Sequence, residues 1–355
     1  MVVEIDGSVL EGGGQMVRSA IAFAAVLGEP VIVKKIRAKR KTQGLRPQHL
    51  HGILAVKNLT NAEVKGTHVG SDRIEFIPHK RQGGEISVDI GTAGAITLVL
   101  QTIMIVAPFC ERPVSATLKG GTNVAWSPPI DYLHTVLLPR LEQMGCRAFI
   151  DTKKRGYYPR GGGRVNATLS LVHGLKPLTL DIVRETPVIT GISHCGALPR
   201  HIAERQAQAA YNTLTENKYR VQKIEIEHDE KTRSPGSGIS LKAANNGVRL
   251  IGSDAIGRQG LKAEKVGQNA AFSLLKELDT GASVDRYQAD MLIPYLALAK
   301  GFSSISVTAL TMHVVTNIHV AEQLSEAKFD VKGKLDSPAV ISVTGIGLES
   351  HATSC

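Results

Sequence analysis

Aromatic side chains are scarce in this sequence. Phe, Trp and Tyr make up 4% of its 355 residues, with a single tryptophan. A surface that gripped single strands mainly by base stacking would therefore be thin. Cysteine is scarce too. Cys110, Cys146, Cys195 and Cys355 lie far apart, with no Cys-x-x-Cys pair and no Cys/His ligand group. That spacing excludes the common zinc-site patterns and reads as reduced thiols of a cytoplasmic protein. The opening MVVEIDGS has no apolar signal core. The longest apolar run, Ala93 to Phe109, is broken by Gln101; it is short for a membrane span and reads as a buried helix. No Gly-Lys-Ser/Thr follows a glycine-rich stretch, which excludes a Walker loop.

What is present is positive charge. A formal charge of +10 and a pI near 9.4 point to an acidic partner, nucleic acid foremost. Hydrophobic content of 43% is that of an ordinary globular protein, long enough for two domains.

One order of elements recurs three times: a Gly-started or apolar helix, a strand, an amphipathic helix and a hairpin. The first copy is predicted as helix 14–27, strand 31–36, helix 46–59 and hairpin 62–77. The second is helix 93–107, strand 114–118, helix 129–144 and hairpin 147–171. The third is helix 284–299, strand 304–309, helix 318–326 and hairpin 329–343. The strands are read from alternation, as in Val31 to Ile36, and the helices from apolar spacing such as Leu292, Tyr295, Leu296 and Ala299. Residues 179–282 break the repeat with helices at 200–217 and 263–279 and strands at 221–227 and 239–244. The expectation is an α/β fold of α+β type. Its large domain would span 1–178 and 283–355, with a smaller inserted α/β domain at 179–282.

Four stretches bear on chemistry. Arg155-Gly-Tyr-Tyr-Pro-Arg-Gly-Gly-Gly-Arg-Val165 combines bare amides with guanidinium groups, which suits a phosphate-rich partner; the other reading is a turn between strands. Glu11-Gly-Gly-Gly-Gln15 leads into the first helix with Arg18 one turn in. Free amides there suit an anion, and a divalent cation would reconcile Glu11 with phosphate; otherwise Glu11 simply favours the helix dipole. Five cations fall between Arg37 and Arg46. With Gln48 and His49, Arg37 and Arg40 form a phosphate clamp or a solvated basic loop. Gln101 is an amide inside an apolar helix and must find partners. The stretch Lys119 to Pro129, including Pro128, links strand to helix and could border a nucleotide. Tyr287 to Met291 opens a helix, and His313 sits near the start of another, where the dipole disfavours imidazolium and leaves a nucleophilic nitrogen.

Assembled, these blocks resemble the RNA 3'-terminal phosphate cyclase family along nearly the whole chain. The run Arg155 to Val165 fits that family's signature at every fixed position, and Ala197 to Arg205 is also similar. The resemblance implies three βαβαββ-like units plus an inserted domain, ATP and a divalent metal (Mg or Mn), and an RNA with a 3'-terminal phosphate as partner. It implies closure of that phosphate onto the 2'-hydroxyl through a histidine-linked AMP on His313. Glu11 would hold metal. Gln101, Tyr287, Gln288, Ala289, Asp290, Met291 and Pro128 would border the adenylate. Arg18, Arg37, Arg40, Gln48 and His49 would handle phosphate. Met291 departs from relatives that carry Gln. Two alternatives remain: a non-catalytic cyclase-like protein of ribosome assembly, which would lack the nucleophile, and an enolpyruvyl-transferase-like enzyme. A homo-oligomer is compatible with all three.

Overall fold

The computed structural model describes residues 2–245 and 247–350. The first unit runs β1 (Val3–Asp6), α1 (Gly14–Leu27), β2 (Val31–Lys34), α2 (Pro47–Thr60), β3 (Glu63–Lys65) and β4 (Ile74–Ile77). Its sheet has the order β1-β2-β4-β3, with β1 and β2 parallel and the remaining pairs antiparallel. The second unit repeats this path. It runs β5 (Gly83–Asp89), α3 (Ile96–Val106), β6 (Arg112–Gly120), α4 (Ile130–Tyr132), a π-helical stretch (Leu133–Leu137), α5 (Leu138–Gln143), β7 (Ala148–Lys154) and β8 (Gly163–Leu169). Its order is β5-β6-β8-β7, again with the first pair parallel.

The third unit is split. Its first strand, β9 (Thr179–Leu180), comes before the insertion and pairs in parallel with β14 (Lys300–Val307). Between them lie β10 (Val188–Gly196), α6 (His201–Glu216), β11 (Arg220–Asp229), β12 (Gly236–Asn245), β13 (Arg249–Ile256) and α7 (Ala263–Leu278). These build a separate sheet in the order β11-β10-β12-β13. The chain then returns through α8 (Arg286–Leu298), β14, α9 (Met312–Leu324), β15 (Lys328–Gly333) and β16 (Ala339–Ile346). The third sheet, β15-β16-β14-β9, completes the pattern of the first two.

Packing follows from composition. Each sheet buries one face under helices, because a strand that alternates apolar and polar residues has only one face to hide. Helix α1 is apolar on nearly every side and is buried along its length against α2, α3 and α9. One hydrophobic core runs through all three units, and a second lies beneath the inserted sheet. No helix among the described residues is long and apolar enough to cross a membrane.

Three sequence expectations shift. Each unit has a leading strand that the pattern missed: β1 has only four residues, β9 two, and β5 begins on two glycines. Because β9 pairs with β14, the third unit reaches Leu180, past the boundary expected at 179. The last long helix starts at Met312, not Ile318. Val314, Val315 and Thr316 argue locally against helix, but Thr311 caps the end by accepting a hydrogen bond from the Val314 amide. Cys110, Cys146 and Cys195 are free and buried, in line with reduced thiols; Cys355 lies outside the described residues.

Candidate active site

Helices α1 and α9 carry matching polar triples at i, i+3, i+4. On α1 these are Gln15, Arg18 and Ser19; on α9 they are His313, Thr316 and Asn317. That spacing puts each triple on one helix face, and the two faces meet. Ser19 Oγ donates to Asn317 Oδ1 at 2.6 Å. The Glu11 amide donates to Thr316 Oγ1 at 3.2 Å. His313 Nδ1 contacts Gln15 Oε1, and Gln15 Nε2 donates to Asp290 Oδ2 at 2.6 Å. Asn317 Nδ2 donates to the Asp290 carbonyl at 2.6 Å, which fixes α8 against both helices.

The direction of this relay fixes a proton. Gln15 uses its amide N–H on Asp290, so its oxygen can only accept. His313 Nδ1 must then carry the hydrogen, and Nε2 is left with a free lone pair. Partial burial, then the positive charges of Arg18 and Arg40, bring the His313 pKa down to about 4. Half of the side chain is open to solvent, so the ring is sunk on one side only. The imidazole is neutral at pH 7.

Glu11 lies 3.9 Å from His313 Nε2, through Oε1, and its side chain is 8% exposed. Arg40 pairs with it, yet neither carboxylate oxygen accepts a hydrogen bond of ordinary geometry. Two glycines make room for this arrangement. A β-carbon on Gly13 would collide with the Glu11 carboxylate, and one on Gly14 with the His49 ring. His49 Nδ1 accepts from the Arg46 amide at 3.2 Å, which leaves the proton on Nε2, facing Gly14. Burial and then Arg18, Arg37 and Arg46 keep His49 well below the ordinary imidazole pKa.

Behind His313 a narrow cleft is lined by Gln15, Arg18, Gln101, Asp290, Met291 and Asn317, among others. Gln101 is partly exposed, not buried, and its amide meets the Met291 sulfur at 3.4 Å. The cleft is small, about 30 Å³. Burial raises the Asp290 pKa to about 7, against the opposing pull of Arg18 and Gln15. Burial likewise lowers Arg18 to about 10.

Not every expected residue joins this group. Within Tyr287–Met291, only Asp290 and Met291 line the cleft, because a helix turns successive residues about 100° apart. Gln288 is fully buried, accepting from Arg140 Nε and donating to the Val136 carbonyl. Ala289 is core, and Tyr287 faces outward. Pro128 is half-buried in its loop and lies outside the cleft lining. Arg37 turns its guanidinium onto the carbonyls of Thr42 and Gly44, closing its own loop. Gln48 lies beside Gly94 of the second unit. Gln15, Ser19 and Asn317 were not anticipated as site residues; the spacing of Gln15 and Ser19 on the first helix carried a signal, whereas Asn317 lay outside the helix expected from Ile318.

Within the glycine-rich signature, Arg155 and Tyr157 are taken up by internal contacts. Arg155 is buried and donates to both Asp131 oxygens at 2.7 and 2.8 Å and to Glu227 Oε2 of the insertion. Burial alone would push Asp131 up, but the charge and hydrogen bonds of Arg155 hold it far below the usual carboxylate range. Tyr157 Oη contacts His194 Nδ1 at 2.9 Å. These bonds clasp the second unit to the inserted domain.

As to metal, no group of three or more His, Cys, Asp or Glu among the described residues could form a cage. A buried carboxylate whose partner is the half-exposed Arg40 does fit a hard cation that takes its remaining ligands from phosphates and water.

Comparison with known proteins gives a consistent result. The family model described as RNA 3'-terminal phosphate cyclase matches residues 9–331. A protein of that name from Desulfurococcus amylolyticus is 47% identical, covering 98% of this chain and 99% of its own. One from Thermococcus gammatolerans is 46% identical, covering 96% and 97%. Methanopyrus kandleri has one at 43%, covering 96% and 98%. The enolpyruvyl transferase NikO from Streptomyces tendae aligns at 10% identity over 98% of this chain and 82% of its own; a TM-score of 0.21 carries no argument.

Proposed function

We propose that this chain, which belongs to the RNA 3'-terminal phosphate cyclase family, uses ATP to close an RNA 3'-phosphate onto the adjacent 2'-hydroxyl. The observation that carries the reading is the Asp290–Gln15–His313 relay, which leaves Nε2 unprotonated beside a cationic wall. His313 Nε2 attacks the α-phosphorus of ATP. A phosphorus–nitrogen bond forms, the α–β anhydride breaks and pyrophosphate leaves. The imidazole becomes cationic at that moment, and Gln15 Oε1 and the Glu11 carboxylate face it.

An oxygen of the RNA 3'-phosphate then displaces the histidine, forming an anhydride with AMP and restoring the neutral ring. The 2'-hydroxyl attacks the 3'-phosphorus, gives up its proton and expels AMP. Arg18 and Arg40 lie close enough to lower the His313 pKa, so they can also neutralise phosphate oxygens. Glu11 would hold a divalent cation, and such an ion draws charge off the triphosphate. Gln101 and Met291 would border the adenosine.

Incubation with ATP labelled in the α-phosphate should leave acid-labile label on the protein, and His313→Ala should remove it. Label that survives the substitution would place the nucleophile elsewhere.

A further inference from the structure

An open cavity of about 560 Å³ lies where three segments meet, lined by Gly91, Thr92, Pro159, Arg160 and Arg233. Gly91 and Thr92 precede α3 in the second unit. Pro159 and Arg160 belong to the glycine-rich signature, and Arg233 to the polar loop between β11 and β12 of the insertion. The junction is built, not accidental. The Arg160 amide donates to Ser234 Oγ at 3.1 Å, and Thr232 Oγ1 donates to the Ser234 carbonyl at 3.0 Å. A β-carbon on Gly162 would strike the Arg233 stem, and one on Gly161 would lie 2.7 Å from the Thr92 carbonyl. Both arginine side chains are exposed, and neither makes an ion pair among the described residues. No acidic side chain lines the cavity. Asp89, just before Gly91, is held by Lys119.

A run of neighbouring residues leads from the cavity lining toward His313. Gln15 holds His313; Gly14 beside it packs on His49. Gln48, the neighbour of His49, brings Oε1 to 3.3 Å from where a β-carbon on Gly94 would stand. Gly94 is two residues from Thr92. Two of the few aromatics are exposed on segments that adjoin the cavity lining: Tyr158 precedes Pro159, and the Trp126 loop packs on Ala93, next to Thr92. Tyr158, in the signature, is 77% exposed. Trp126 is 99% exposed, on a loop anchored by Val124 against Ala93, Ala95 and Leu98. Exposed rings together with unpaired guanidinium groups suit a strand with unstacked bases and a charged backbone.

We propose that this junction is a track for single-stranded RNA upstream of the reacting end. Arg160 and Arg233 would bind backbone phosphates, and Tyr158 and Trp126 would stack on bases. The inference rests on the RNA reading above and adds that the signature and the insertion cooperate to bind the strand. It makes the insertion part of substrate recognition while leaving adenylylation independent of it.

The test uses the full-length protein and a fluorescent 3'-phosphorylated single-stranded RNA of ten nucleotides, with binding followed by anisotropy over a salt series. Arg160→Ala with Arg233→Ala should weaken binding about tenfold and flatten the slope of log Kd against log salt by about 1.4, two contacts at ~0.7 each on single strands. Labelling by ATP, and turnover of a 3'-phosphorylated dinucleotide too short to reach the cavity, should stay at wild-type rates. Unchanged ten-mer affinity and slope in the double variant would overturn the track, as would an equal loss with the dinucleotide. Arginine-dependent binding by a protein that never cyclises would leave the track standing and sink the proposed reaction instead. Cyclisation of both lengths, indifferent to the arginines, would do the reverse.

Discussion

Gln15→Met is the sharpest probe of how the histidine is activated. Methionine is unbranched and close in volume, so the substitution leaves α1 packed while removing the acceptor for His313 Nδ1 and the donor to Asp290. Loss of one hydrogen bond is worth about 1 kcal/mol, or roughly fivefold in rate. The tautomer matters more. Without Gln15 Oε1 nothing fixes the proton on Nδ1, and a proton on Nε2 blocks the attacking lone pair. A comparable tautomer error in a serine-protease triad costs about 10⁴ in rate. The expected fall in single-turnover labelling by ATP is therefore about 10²- to 10⁴-fold, far beyond the hydrogen bond alone. Asp290 should stay silent in this variant, because the Gln15 hydrogen bond is one of the influences holding its pKa down. Without it the carboxyl moves further up, toward the neutral form. Gln15→Glu restores an acceptor and should recover part of the rate, with the acid limb of the pH profile shifted upward because a carboxylate favours imidazolium. A fall of only about fivefold or less in labelling by Gln15→Met, with unchanged thermal stability, would refute the tautomer argument, since hydrogen-bond loss alone accounts for that much.

The acid limb of His313 labelling should fall near pH 4 and not near 6.5, since the ring's pKa is about 4; Arg40→Gln should move that limb upward in a rate-against-pH series. Glu11→Gln should impair the metal-dependent step, read as a raised metal requirement for labelling. Arg155→Met should destabilise the fold by about 3–5 kcal/mol in denaturant titration, because Asp131 would remain buried without its cation. Stability should change little between about pH 4.5 and 6.5. His49, His194 and His313 have lowered folded pKa values, so on acidification the unfolded chain takes up protons first and the fold loses stability. Asp254, Asp285 and Asp290 have raised values, near 7, 6 and 7, so in the same window the folded state takes up protons first and gains stability. Asp254→Asn removes one of the offsetting carboxyls, and its denaturation midpoint should drop more steeply on acidification than that of the parent.

How much of this was legible depends on whether the physics was local. Helix α1 was read at its observed ends, because an apolar stretch opening on glycines needs no tertiary information. Strands β1 and β9 were not, since segments of four and two residues have no period to detect and exist only through β2 and β14. The site divides in the same way. Charge and helix position marked His313 and Arg40, but the chain alone gave no sign that Arg37 would spend its guanidinium on Thr42 and Gly44. Nor could it show that Arg155 would be buried in a clasp while Arg160, five residues on, stays free at the surface.

The polar triples of α1 and α9 were not read from the sequence, because the second helix was expected to begin only at Ile318, and it is their meeting that gives them chemistry. Each helix comes from a different copy of the unit, and each alone carries buried polar groups that would cost stability. Facing one another, Ser19 satisfies Asn317 and Gln15 satisfies His313. The repeat thus makes the nucleophile's proton a property of the interface between copies: α9 supplies the ring, α1 orients it, α8 anchors the relay through Asp290, and the loop before α2 supplies the Arg40 charge that helps keep it neutral. The Gln15 relay and the Arg40 charge both cross from the first unit to the third, so neither unit alone holds the ring neutral and oriented.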